Sequence, residues 1–356
     1  MKYLISLLLF FFTFLNAKDV SVDEMISQMI IVGFSGEMQE DKWVKQIQND
    51  IETHRIGGIV YASKNIKNSK QLKALNSYLQ KSNPSKIPLF FALEQEGGDF
   101  QKLDKDKGFV NYLDAFGVAK DKSLQEAYAQ YEILSREIAS YGFNLNFAPV
   151  LDLNTKEEIQ NKRNYSSEEE IVIAYANTFI DAMQKHKILF SLKHFPGLGN
   201  GEKSTNQLVN ASKTWTYKEL KPYYHFIKAQ KADMIMVGHI KLDLFDSVYP
   251  SSMSKNVIDK VLRQKFGYEG VVISDDMLNK EILEIYGLEN AIIKSIQAGT
   301  DILLFSSYFY NNSNIPKIVH EVINKAIKKG EINENMVKKA YERVVKLKNK
   351  LKKEES

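Results

Sequence analysis

The stretch LFSLKHFPGLGNGEKSTNQL, residues 189–208, begins as a strand and ends as a loop. Leu189, Phe190 and Leu192 form a short apolar run, Lys193 and His194 close it, and a glycine-rich polar segment follows. An apolar run of this length, bounded by a turn signal, fits a strand buried on both faces. A charged residue at the end of such a strand is costly to bury unless it is paired or used. The loop beyond carries one carboxylate, Glu202, and no further histidine.

The pattern recurs on both sides. Short apolar, β-branched runs lie at 29–34, 56–61, 88–94, 144–151, 189–194, 233–239, 270–275 and 301–305. Amphipathic stretches such as 41–54, 69–80, 124–141, 168–186, 217–229, 255–266 and 281–298 lie between them. These make eight strand–helix units. Continuous apolar strands alternating with helices imply a parallel sheet covered on its outer face. Eight units in 356 residues point to a single-domain (β/α)8 TIM-type barrel. A doubly wound open sheet is the competitor that periodicity alone leaves open. The segment LDKDKGFVNYLDAFG, residues 103–117, reads as an irregular insertion after the third strand, over the barrel mouth.

Polar residues at the strand ends favour the barrel. Nearly every run closes on one: Glu94, Asp152, Lys193 with His194, His239, and Asp275 with Asp276. In a parallel barrel all these ends share one face, where the active site forms. Each alone could merely cap the next helix; as a ring they read as a site.

Composition sets the outer bounds. The chain is 44% hydrophobic, enough for a large core. A net charge of +4 is small for its length and implies no clustered basic surface, so nucleic acid is not an expected partner. In the basic run at the end, Val337, Ala340, Val344 and Leu347 recur at helical spacing. It reads as the solvated face of a terminal helix, with a membrane-surface role as the alternative. There is no cysteine, which excludes disulfides and thiolate chemistry. No metal-ligand signature appears, and no cofactor is expected. Residues 1–17, MKYLISLLLFFFTFLNA, pair Lys2 with an apolar run and a small residue, as a secretory signal cut after Ala17 would. Residues 18–356 are then the barrel domain with its basic terminal helix, and no stable membrane span is expected after cleavage. Leu15, three before the cut, suits that position poorly and leaves an uncleaved anchor as the alternative. A monomer in a bacterial periplasm is the expectation.

The strand-end motifs resemble those of family-3 glycoside hydrolases, in the single-domain β-N-acetylhexosaminidase branch. PLFFALEQEGGDFQKL is similar to the family's substrate-binding third strand, and LNFAPVLDLN to its fourth-strand motif. NKRNYS resembles the segment that supplies a sugar-binding arginine, here Arg163. SLKHFPG, MIMVGHI and YEGVVISDDM match strands five, six and seven. The resemblance runs from about residue 22 to 304. It implies a carbohydrate substrate, no cofactor, and a retaining mechanism in which one carboxylate attacks the anomeric carbon while a second group serves as acid and then base. It makes Asp275 the nucleophile and Glu94, Asp152, Arg163, Lys193, His194 and His239 substrate-binding residues. For His239 core packing is an equal alternative; for Asp152 the alternative is ordering Lys193. Asp276 is expected to cap the next helix. His54, His186, His225 and His320 fall in helices or connections and read as surface residues.

The departures fall in the opening stretch. The branch usually reads K-H-F-P-G-H-G, then four variable residues, then D-S-H, whose Asp–His pair is the acid/base. Here Leu198, Ser204 and Asn206 replace the middle histidine, the aspartate and the last histidine. Neither serine nor asparagine titrates near neutral pH. The family's distal-hydroxyl aspartate is Glu94, and the arginine after the two glycines is Asp99. The resemblance implies release of terminal β-linked N-acetylglucosamine, from peptidoglycan-type or other glycans given export, with Glu202 as substitute acid/base. Two alternatives stand beside it: a barrel that forms the glycosyl-enzyme but protonates only poorly, and a catalytically impaired barrel acting as a periplasmic sugar-binding protein.

Overall fold

The computed structural model describes residues 20–153, 162–199 and 208–352. Eight strands close a barrel: β1 Ile30–Gly33, β2 Gly58–Val60, β3 Phe90–Leu93, β4 Leu145–Asn146, β5 Leu189–Phe195, β6 Met234–Val237, β7 Val271–Asp276 and β8 Ile302–Phe305. Every neighbouring pair is parallel and sequential, and β8 pairs with β1 through Ile30↔Leu303 and Ile31↔Leu304. Closure settles the choice between barrel and open sheet.

Alternate residues along each strand explain the two buried layers. Ile31, Phe90, Ala92, Leu145, Met234, Met236, Ile273 and Ile302 fill the barrel interior. Val32, Phe91, Leu192, Ile235, Val272 and Leu303 face the surrounding helices. These are α1 Val22–Gln28, α2 Lys42–Glu52, α3 Ser69–Lys81, α4 Leu124–Ser140, α5 Glu169–Lys185, α6 Lys221–Lys228, α7 Asn256–Lys265 (wound as a π-helix), α8 Leu288–Ala298, α9 Ile315–Lys328 and α10 Glu334–Lys348. Side chains start several of them: Asn68 caps α3, and Ser123 with Glu126 forms a capping box on α4.

The single helix expected over 281–298 is two. Lys280–Tyr286 is followed by α8, with Gly287 between them at φ 70°, a conformation that ends a helix and favours glycine. The run expected at 144–151 is a two-residue strand, extended by an isolated bridge from Val150 to Lys193. Segment 103–117 packs against the short hairpin that follows β3, where Gly98 N–H donates to the Tyr112 carbonyl.

Helix α10 does more than present a solvated face. Val344 and Leu347 enter the interior cluster and close the barrel where the strands begin. Lys348, fully buried, donates to the Gln28 side chain and the Gly57 carbonyl, each at 2.6 Å, with its Nζ 4.5 Å from the Phe90 ring centre, and burial pushes its pKa well below the ordinary lysine value. Arg343 reaches Asp301 at 2.8 Å, just before β8.

Candidate active site

Seven of the eight expected site residues lie in described segments, and all belong to the C-terminal ends of strands or the loops beyond them. Glu202, with Ser204 and Asn206, lies outside the described residues.

Strand β5 is the longest barrel strand, buried throughout, and it places Lys193 and His194 at the mouth. The Lys193–His194 peptide bond is cis. The Lys193 ammonium is fully buried between two carboxylates, Glu96 at 2.7 Å and Glu94 at 3.1 Å. Burial alone would strip its charge, but Glu94 and Glu96 outweigh burial and raise its pKa above the ordinary lysine value. Arg163 grips Glu96 in a fork, Nε at 2.9 Å and Nη2 at 2.7 Å, and stacks 4.3 Å from the Phe100 ring. Lys102 reaches the other oxygen of Glu94 at 3.1 Å. Lys193 and then Lys102 hold Glu94 far below the usual carboxylate range, against the upward push of burial. For Glu96 burial pushes upward hardest, yet Lys193 and Arg163 together bring its pKa below normal. Glu94 is the open member of this group: its side chain is 35% exposed, against 5% for Glu96. Glu94 can therefore meet a ligand, and Glu96 holds two cations in place. Sequence reasoning named Glu94 and passed over Glu96, although both lie in the EQEGG segment. Asp99 is exposed on the turn of the hairpin.

A second cluster is built on Asp152. Its carboxylate has no exposure and accepts from the His194 backbone N–H at 3.2 Å and the Leu198 N–H at 3.1 Å. It also pairs with His194 Nδ1 at 2.8 Å. Asp152 thus orders His194 rather than Lys193, and its burial keeps it from touching a sugar directly. With Nδ1 on Asp152, His194 has Nε2 left to face a ligand.

Asp275 ends β7, half-buried. Burial pushes its pKa up, but the His239 and His194 imidazoles, the Asp276 N–H at 2.8 Å and Lys193 prevail, and it stays below the ordinary aspartate value. The result is an ionised carboxylate at the mouth. His239 has both ring nitrogens engaged inside the protein, Nδ1 with Ser252 Oγ at 2.7 Å and Nε2 with the Asp276 carbonyl at 2.8 Å. In this geometry it orders the end of β7 and leaves no nitrogen for a sugar. Asp276 does not cap the next helix. It accepts from Leu278 N–H and Ser306 N–H, tying β7 to the loop after β8, and Asn279 provides the cap. Of the other histidines, His54 and His225 are exposed, while His186 and His320 are half-buried, beside Glu132 and Asp23.

One group was invisible in the sequence. Glu219, just before α6, is buried against Gly197 and Gly199, where the chain leaves β5. It accepts from the Leu153 N–H at 3.1 Å and from the Gly199 N–H. Burial, with Asp152 nearby, pushes its pKa up to about 8. It ties down the roots of the two loops that leave β4 and β5.

A closed parallel barrel with paired cations, an ionised aspartate and a histidine–carboxylate pair at its C-terminal mouth has the site of a (β/α)8 barrel enzyme. Residues 21–347 match the family model described as the glycosyl hydrolase family 3 N-terminal domain, and the chain belongs to that family. It is 26% identical over 325 residues to beta-hexosaminidase A of Pseudoalteromonas piscicida, covering 85% of this chain and 54% of that protein. It is 27% identical over 286 residues to a beta-hexosaminidase of Xylella fastidiosa strain M23, covering 78% and 82%. Among solved structures, the family-3 beta-N-acetylglucosaminidase of Paenibacillus sp. FPU-7 superposes with a TM-score of 0.81 at 26% identity, over 93% of this chain and 62% of that one. The beta-N-acetylhexosaminidase of Beutenbergia cavernae gives 0.80 at 25% identity, over 93% and 99%. The chain thus spans about half to three fifths of the two longer relatives, and 82% and 99% of the two shorter ones.

Proposed function

We propose that this protein is an exported β-N-acetylhexosaminidase that removes terminal β-linked N-acetylglucosamine from peptidoglycan-type glycans through a glycosyl-enzyme on Asp275. The observation that carries the reading is the ionised Asp275 at the barrel mouth, with His194 and the Lys193–Glu94–Glu96–Arg163 network beside it. A carboxylate held charged in a buried setting is suited to attack an anomeric carbon and to stabilise an oxocarbenium-like transition state. Glu94 and His194 present an acceptor and a ring nitrogen to sugar hydroxyls. Lys193 and Arg163 hold Glu96 and Glu94 in register. Glu202 is the proposed acid/base, and the family relatives named as hexosaminidases support the sugar. The sequence of residues 1–17 supports export to a periplasm; among the described residues no helix is long and apolar enough to cross a membrane.

The test uses a β-N-acetylglucosaminide with a very good leaving group beside a natural disaccharide. Asp275→Asn should lower kcat on both by roughly 10⁴-fold or more. Glu202→Ala should spare the activated substrate and slow the disaccharide by about 10²–10⁴-fold, the usual contribution of a general acid. Wild type turning over only the activated substrate would replace the efficient hydrolase with the poorly protonating one. Saturable sugar binding without turnover of either would replace it with the binding protein.

A further inference from the structure

The net charge of +4 hides an uneven distribution. In a parallel barrel every helix-to-strand connection falls at the end opposite the mouth, and here that end collects lysines. Lys86 lies between α3 and β3, Lys187 between α5 and β5, and Lys328 with Lys329 at the end of α9; all are exposed. Helix α10 lies across this end, its apolar side in the barrel and its outer side carrying exposed Lys339 and Lys346. The buried carboxylates at this end are already neutralised: Asp301 by Arg263 and Arg343, Asp233 by Lys350. Exposed Glu269, Glu331 and Glu342 offset only part of the excess.

Cations in the last turn of a helix serve its dipole, and that accounts for Lys328. It accounts for Lys346 in the last turn of α10 too, but not for Lys86 and Lys187, which lie beyond helix ends, or for Lys339, which is exposed midway along α10. Beside α10, Arg343, Lys346 and Lys350 line a cavity of about 410 Å³ that opens next to Tyr268 and Glu269. The cations are mostly lysines, point charges suited to diffuse attraction by a charged plane rather than to forked recognition of bases. Helix α1, which leads residues 1–19 into the barrel, is packed at this same end, where Gln28 meets Lys348 and Ser27 bonds to the His54 carbonyl.

We propose that this end of the barrel docks on an anionic phospholipid surface and turns the mouth with Asp275 away from the bilayer. The proposal does not depend on what the mouth hydrolyses. Each lysine brought near an anionic bilayer strengthens binding roughly fivefold, and the attraction fades within about 10 Å at 0.1 M salt.

The full chain would be sedimented with vesicles of 30% phosphatidylglycerol in phosphatidylcholine, and with phosphatidylcholine alone. Binding should require phosphatidylglycerol and fall at 0.5 M salt. The triple variant Lys187→Glu, Lys339→Glu, Lys346→Glu should bind at least ~100-fold more weakly, with an unchanged thermal midpoint. The triple Lys64→Glu, Lys105→Glu, Lys213→Glu, which makes the same change of charge in loops at the mouth end, should bind as wild type does. Equal binding to both vesicles would show attachment through residues 4–15 alone and overturn the proposal. Equal losses in the two triple variants, or tighter binding to duplex RNA than to the vesicles at equal phosphate, would overturn it as well.

Discussion

Glu219 is buried against Gly197 and Gly199 at the start of the loop after β5, and burial together with the nearby Asp152 disfavours its charge. Glu219 takes the proton. Its folded pKa of about 8 stands above the ordinary 4.5, so between those values the folded chain keeps a proton that the unfolded chain has lost. Stability should therefore fall as pH rises from 4.5 to 8, and level off above. Glu219→Gln removes the titration, so the drop in melting temperature between pH 5 and pH 8 should shrink; an undiminished drop would place the titration elsewhere. Asp152→Asn tests the neighbouring group. It preserves shape but sets an amide or an uncharged oxygen against His194 Nδ1, and kcat on the activated substrate should fall by roughly 10²-fold or more with KM little changed. A rise in KM alone would make Asp152 a matter of binding. At this scale the sequence was legible where a charge closed an apolar run, as at Lys193, His194 and Asp275. It was not legible where a charge reached the site from outside the strands. Glu219 reads as the polar start of an amphipathic segment, and only the closed barrel brings it beneath Gly199.

Elements were readable because barrel strands are buried on both faces and leave continuous apolar runs, with helical periodicity between them. Their ends were less so. Strand β4 is only two residues long, and pairing resumes as a single bridge from Val150 to Lys193. Gly287 splits one expected helix, and a glycine inside an apolar-periodic segment does not announce a positive φ. The turn after β5 shows how an element ending serves the site. Gly197 sits at φ 107°, and a Cβ there would collide with the Glu219 carboxylate. Gly197→Ala should cost about 1–3 kcal/mol, and it should raise KM because it displaces the segment that carries the Leu198 N–H onto Asp152. A denaturation midpoint equal to wild type would show that the turn can relax at no cost.

At the scale of the whole molecule, topology sorted what composition averaged. A net charge of +4 predicts no basic surface, but the barrel sends its connections to one end and its catalytic candidates to the other. The terminal helix, legible as amphipathic from Val337, Ala340, Val344 and Leu347, gave no sign that Lys348 would be buried with them. Its place in the fold explains the burial. Three strand beginnings converge under α10, and Lys348 supplies donors to Gln28 before β1 and to the Gly57 carbonyl before β2, over the Phe90 ring at the start of β3. A methionine of similar length would fill the space but leave the buried Gln28 side-chain oxygen without its donor, a cost of about 1–3 kcal/mol, while the Gly57 carbonyl keeps its bond from the Phe90 N–H. Lys348→Met should therefore lower the urea midpoint by the equivalent of ~2 kcal/mol with the slope unchanged. Because Lys348 lies at the end of the barrel away from Asp275, turnover per folded molecule should stay at the wild-type value. A loss of turnover without a loss of stability would mean that the two ends of the barrel are coupled through the strands.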